Sequence, residues 1–204
     1  MITIIDYGAG NIKSIRNMLK KIGVESTISN IPDEIRKADK LILPGVGHFD
    51  YGMNSLVRSG LIDVLEETVI NNKKPLLGIC LGAQLLGNSS EEGVEKGLGW
   101  IDMEVVKFDV SKIEAQFKIP HMGWNEIEVH QSSTLLANLE KEARFYFVHS
   151  YHMETKNSKD ILTTTHYGYD FVSGVKRDNI YGVQFHPEKS HKFGLQMLTN
   201  FSEL

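Results

Sequence analysis

Through the first half of the chain, short apolar runs of β type alternate with segments of helical period, and this alternation limits the possible folds more than any other feature. Residues 2–5 read as a strand, followed by Gly8-Ala9-Gly10-Asn11. Ile12, Ile15, Leu19 and Ile22 then recur at helical spacing, with Asn11 suited to the N-cap and Gly23 to the stop. Residues 24–29 and 40–43 read as strands, 56–71 as a helix, and 76–79 as a strand that runs into a helix over 81–86. Strands separated by helices need crossover connections, so they pair in parallel and bury both faces. The second half changes character: 103–108, 126–130, 144–149, 161–166, 171–176 and 180–185 read as strands, several joined by hairpin-length loops, before a last helix over 190–201. The expectation is a single-domain α/β fold over residues 1–204. Its mixed, mostly parallel sheet carries helices on both faces and gains antiparallel pairing among the later strands. No repeat, low-complexity tract or Pro/Ser-rich linker marks a boundary.

Composition narrows the function classes. At 204 residues, 41% hydrophobic and 24% charged, the chain has enough apolar material for a sizeable core. Lys plus Arg is 22 against 26 Asp plus Glu, a net charge of −4 with no dense basic stretch, which argues against nucleic-acid binding. The longest nearly apolar run, residues 75–83, falls far short of the ~20 residues a spanning helix needs, so no membrane partner is expected. The start, Met1-Ile2-Thr3-Ile4-Ile5-Asp6, lacks the basic region of a secretory signal, and the single Cys80 fits a reducing, cytoplasmic setting.

Cys80 is also the strongest chemical signal. In Gly78-Ile79-Cys80-Leu81-Gly82 a strand turns abruptly into a helix, with glycines two places either side to relieve the crowding. This is the logic of a nucleophile elbow, with sulfur in place of oxygen, set against the blander reading of a buried structural cysteine. Amides at the start of the following helix favour a thiolate and can stabilise an oxyanion. A nucleophilic cysteine needs a base. Among the eight histidines His186 stands out, because Glu188 lies two residues on at the end of an apolar strand, within reach of the ring. Cys80, His186 and Glu188 would then be nucleophile, general base and orienter. Pro44-Gly45-Val46-Gly47 closes another strand at the same edge, and its glycines let the Val46 N–H turn inward as an oxyanion donor; a plain flexible turn reads equally well from this segment alone.

Other motifs read more plainly. Gly8-Ala9-Gly10 invites a dinucleotide loop, but the third glycine position holds Lys13, so a tight turn is the better reading. His149 and His152 have the i,i+3 spacing of metal ligands, yet no third ligand is suitably placed. Neither a metal nor another cofactor is expected. Trp124, one of two tryptophans, serves either the core or a partner contact.

Taken together, Pro44-Gly45-Val46-Gly47, Gly78-Ile79-Cys80-Leu81-Gly82 and His186-Pro187-Glu188 resemble the class I (triad) glutamine amidotransferases. Asp6-Tyr7-Gly8-Ala9-Gly10-Asn11, Ser90-Glu91-Glu92-Gly93, Pro120-His121-Met122-Gly123-Trp124-Asn125 and His186-Pro187-Glu188-Lys189-Ser190 bring the resemblance nearer to the glutaminase subunits of imidazole glycerol phosphate synthase. The resemblance implies a flavodoxin-like fold and hydrolysis of glutamine through a Cys80 thioester, with oxyanion donors at Leu81 and Val46. It implies that Gly45, Gly47, Gln84, Glu92, Ser150 and Tyr151 hold the amino-acid part of glutamine, Glu92 facing its ammonium. It further implies a heterodimer with a (β/α)8-barrel synthase subunit of histidine biosynthesis, with Asn11, Trp124, Asn125 and Lys189 as candidates for the shared surface. Free ammonia is mostly protonated in neutral water and then no nucleophile, so it needs a protected path to that partner. Ala83 departs from the methionine expected after Gly82 in the histidine-pathway subunit. That departure keeps open a paralogous glutaminase supplying a sugar-modifying amidotransferase of surface-glycan synthesis. A non-catalytic regulatory module or a Cys-dependent peptidase on a similar sheet is the reading from another class, and the complete triad set with Glu92 argues against both.

Overall fold

The computed structural model describes residues 1–113 and 117–204. Along the chain run β1 (Ile2–Ile5), α1 (Ile12–Lys21), β2 (Ser26–Ser29), α2 (Pro32–Lys37), β3 (Lys40–Gly45), α3 (Phe49–Arg58), α4 (Ile62–Leu65), β4 (Leu76–Cys80), α5 (Leu81–Gln84), β5 (Ser89–Ser90) and β6 (Glu104–Lys107). Then follow β7 (His121–Glu126), β8 (Glu128–Val129), β9 (Arg144–His149), β10 (Tyr151–Glu154), β11 (Ile161–Tyr167), β12 (Tyr169–Arg177), β13 (Ile180–Val183) and α6 (His191–Glu203). The main sheet is ordered β2-β1-β3-β4-β13-β12-β10-β6-β5, with β11 on β12 and β8 on β11; β7 and β9 form a separate pair.

The first five strands of that order, β2-β1-β3-β4-β13, pair in parallel and have the 2-1-3-4-5 order of a flavodoxin-like doubly wound sheet. From β12 outward the pairing along the path is antiparallel, apart from the short β5–β6 pair. Helices cover both faces. On one, Ile15 and Leu19 of α1 and Met197, Leu198 and Phe201 of α6 pack with Ile2, Ile4, Ile42 and Val183. On the other, Phe49, Met53 and Leu56 of α3 and Val64 and Leu65 of α4 pack with Ile5, Leu41, Leu43 and Leu76. Strands β1, β3, β4 and β13 are buried at nearly every position because both sides are covered, while the edge strand β2 is only partly buried.

Several elements differ from the sequence reading, each for a local reason. Strand β2 begins at Ser26 rather than 24, after the Gly23 turn with φ +74°. The helix expected over 56–71 begins instead at Phe49, where His48 Nδ1 accepts the Asp50 N–H. Gly60, φ +69°, ends that helix, and the chain resumes as α4 and a wider π turn over Glu66–Asn71. The short α2, started by Pro32 at its first position, escaped the periodicity altogether. Asn11 sits at the N-cap of α1, but its side chain makes no capping bond. The strand expected over 126–130 is β7, five residues earlier at its start, with only Glu128–Val129 beyond it. The helix after Cys80 is one turn of four residues rather than 81–86, so its macrodipole is small and its useful groups are its first free amides. Among the described residues no helix is long and apolar enough to cross a membrane.

Candidate active site

Parallel strands release their connections at one edge, so residues distant in sequence meet there. Gly45 of β3 is the register partner of Cys80 of β4, and β13 lies on the other side of β4. Cys80 has φ 54° and ψ −114°, a strained backbone for a non-glycine residue and the sharp turn an elbow needs. The flanking glycines have a steric cause. A Cβ on Gly82 would lie 1.9 Å from the Leu43 carbonyl oxygen, and one on Gly78 would lie 2.8 Å from the backbone of Ala83 and Gly82. Ala83 is wholly buried, in the space where Gly78 and Gly182 approach it. Cys80 is only 7% exposed, yet it lines a cavity of about 190 Å³ with Val46, Gly47, Leu81, Gln84, Glu92, Val148, His149, Ser150, Tyr151 and His186.

His186 follows β13 and is held by a bridge to Tyr146 of β9. Its Nδ1 lies 2.8 Å from Glu188 Oε1, both side chains being 1% exposed, and the carboxylate can only accept, so Nδ1 carries a proton. The other ring nitrogen, Nε2, is buried without a hydrogen-bond partner. Burial lowers the His186 pKa, but the charge of the Cys80 sulfur and then the Glu188 carboxylate outweigh it and push it up to about 10. Behind the sulfur lies a residue the sequence reading passed over. Gln184 is fully buried, and its Nε2 donates to Cys80 Sγ at 3.7 Å while its Oε1 accepts from Gln84 Nε2 at 3.0 Å. The signal for it was present, as a glutamine in an otherwise apolar strand end.

The cavity walls are held from outside. Gln84 Nε2 also donates to the Tyr151 carbonyl at 3.2 Å. Glu92 Oε2 accepts the Phe49 N–H at 2.8 Å, and Asp50 accepts from Val94 and Glu95, tying the loop that bears Glu92 to the start of α3. Those backbone donors lower the Asp50 pKa below the usual carboxylate range. Gly47, φ +108°, reaches the cavity; Gly45 lies a layer beneath it, where a Cβ would meet Gly82 N at 2.6 Å and the Tyr7 hydroxyl at 2.8 Å. The Tyr7 hydroxyl donates to the Pro44 carbonyl at 2.7 Å, and burial raises its pKa.

Of the residues expected at a partner surface, Trp124 is 44% exposed and stacks on His191 at 5.3 Å. Lys189 Nζ sits 5.4 Å over the ring of Tyr146, which also meets Trp124 edge-on at 6.2 Å. Asn125, next along β7, turns to His121 and the His166 carbonyl. Asn11 stands at the start of α1, a helix that touches the 187–189 turn.

Known proteins agree with this architecture. Residues 3–203 match the family model for glutamine amidotransferase class-I. The chain is 57% identical over 201 residues to imidazole glycerol phosphate synthase subunit HisH 2 of Methanococcus maripaludis, covering 98% of each chain. It is 52% identical over 204 residues to the protein of that name from Pseudomonas aeruginosa, covering 100% of each. Among solved structures, one described as a glutamine amidotransferase superposes with a TM-score of 0.75 at 17% identity, covering 100% of this chain and 98% of the other. PurLQS from Thermotoga maritima gives 0.74 at 18%, covering 98% and 96%; both speak for the fold alone. With the family model spanning almost its whole length and full-length relatives above half identity, the chain belongs to the class-I glutamine amidotransferase family.

Proposed function

We propose that the chain, acting as one domain over residues 1–204, is the glutaminase subunit of an imidazole glycerol phosphate synthase. It hydrolyses glutamine and passes the ammonia to a partner synthase subunit in histidine biosynthesis. One observation carries the chemistry: Cys80 and the Glu188-held His186 open into one cavity walled by Gln84, Glu92, Ser150 and Tyr151. The relatives' shared name supports the pathway and leaves nothing to favour the surface-glycan alternative. The partner is taken to be a (β/α)8 barrel that docks over Asn11, Trp124, Asn125 and Lys189, in the reducing cytoplasm where a lone thiol persists.

In this mechanism the Cys80 thiolate attacks the side-chain amide carbon of glutamine. The C–S bond forms as the carbonyl electrons move onto oxygen, and the oxyanion accepts from the N–H groups of Leu81 and Val46. Leu81, first in α5, has no intrahelical acceptor for its N–H. As the C–N bond breaks, His186 gives the proton on Nε2 to the leaving nitrogen, and ammonia departs. His186 then takes a proton from water, whose oxygen attacks the thioester, and glutamate leaves as the thiolate is restored. The raised pKa of His186 keeps an imidazolium ready beside the sulfur, and Glu188 holds its tautomer throughout.

The test uses 6-diazo-5-oxo-norleucine, an electrophilic glutamine analogue, followed by mass spectrometry. A single adduct on Cys80, prevented by excess glutamine, is expected, and ammonia release should rise when the barrel subunit is added. No adduct on Cys80 overturns the glutaminase reading, and ammonia release unchanged by the barrel overturns the coupling.

A further inference from the structure

His121 and His149 are cross-strand partners in the β7–β9 pair, buried side by side outside the triad. Their ring protons follow from the groups around them. The Tyr151 carbonyl only accepts, so His149 Nδ1, 2.8 Å away, carries a proton. Burial holds the His149 pKa well below 6.5, so the ring is neutral and its Nε2 bare. That nitrogen lies 3.0 Å from His121 Nδ1, which must therefore donate. Burial lowers the His121 pKa to about 4, so its Nε2 is bare in turn and accepts from Asn125 Nδ2 at 3.3 Å. The Asn125 amide cannot be reversed, because Nδ2 also donates to the His166 carbonyl at 2.8 Å and Oδ1 accepts the Glu126 N–H at 2.9 Å. Every link has one permitted direction.

The inner end of this chain is the glutamine cavity. The Tyr151 carbonyl takes a second bond from Gln84, which donates on to Gln184, which donates to the Cys80 sulfur. The outer end, Asn125, lines a surface cavity of about 430 Å³ beside Trp124 and His166. Stacking uses only the flat face of the ring and does not call for its nitrogens: His121 lies between Phe147 and Tyr167 at centroid distances of 4.7 and 4.0 Å.

We propose that His121 and His149 are positioning residues, a one-way hydrogen-bond relay from Asn125 that holds the Tyr151 carbonyl, and with it Gln84, in place for glutamine. The substrate in this statement rests on the glutaminase reading. A partner group that draws the Asn125 amide away lets the His121 proton move to Nε2. His121 Nδ1 is then bare, so His149 must carry its own proton on Nε2 to meet it, and it loses the tautomer that serves Tyr151.

Histidine 15N NMR of the whole chain near neutral pH tests the relay directly: both rings should be neutral, with the proton on Nδ1. A proton on Nε2 of either ring overturns it. In parallel, His121→Phe should slow labelling of Cys80 by 6-diazo-5-oxo-norleucine about tenfold, the scale of one hydrogen bond lost at a buried group. Labelling by iodoacetamide, which needs only the thiol, should stay unchanged. His121→Asn, whose amide overlies Nδ1, should restore the rate, and wild-type labelling by His121→Phe overturns the proposal. Should His121→Phe not fold, Asn125→Leu on the outer face carries the same test, with slower analogue labelling expected and a wild-type rate refuting the relay. A wild-type chain inert to the analogue refutes the glutaminase reading, and the ring tautomers then decide the relay alone.

Discussion

At Cys80 a strained backbone, a buried sulfur and an unpartnered imidazole nitrogen meet within one cavity. The strain is held because Gly78 and Gly82 let the neighbouring backbone close in. The charge on His186 has a consequence for stability. Its pKa rises from 6.5 to about 10, so the folded state binds a proton that the unfolded chain releases at lower pH. That contribution is fully present below pH 6.5 and is lost as pH rises through about 10. Urea unfolding across this window should show falling stability, with a shallower slope in Cys80→Ser, where the opposing charge is gone. Equal slopes in the two proteins would contradict the pairing.

At the scale of elements, the cavity at Cys80 depends on how loops are tied to their neighbours. The loop bearing Glu92 has no regular structure, and its position is fixed by Asp50 at the start of α3, which receives the Val94 and Glu95 amides. Gly93 is small because the Asp50 carboxylate fills the space beside it, 1.9 Å from where a Cβ would be. Asp50→Asn keeps the shape but loses the charge that strengthens these bonds. The expected outcome is a severalfold rise in KM for glutamine with little change in kcat, measured by coupled detection of glutamate, since Cys80 and His186 are untouched. A fall in kcat alone would place Asp50 in a different role.

Across the whole molecule, two cores on opposite faces clamp the parallel sheet, and only one includes Cys80. Leu19 of α1 is fully buried in that core and does not line the cavity. Leu19→Ala should cost about 2–5 kcal/mol by the usual cavity penalty. Denaturant unfolding measures that cost, and Cys80 labelling by the glutamine analogue should keep its wild-type rate below the transition.

The strand–helix alternation, the glycines around Cys80 and the His186–Glu188 pair were legible in the sequence because each is local. Periodicity reports which face of a segment is buried, and a glycine two residues from a turn reports crowding at that turn. The early start of α3, set by a single His48 cap, and the short α2 were not legible, because caps and single turns carry almost no periodic signal. The partners of Gln184 and Asp50 and the tautomers of His121 and His149 were beyond the sequence for a different reason. Each takes its role from partners many positions away: Gln184 from a sulfur 104 residues back, Asp50 from a loop 44 and 45 residues on, and His149 from a ring 28 residues back. The sequence by itself determined the layered α/β fold and singled out Cys80 and His186 as the candidate nucleophile and base. Only the tertiary structure decided which polar groups face them, because hydrogen bonds between distant strands depend on the register and side-chain direction that folding sets.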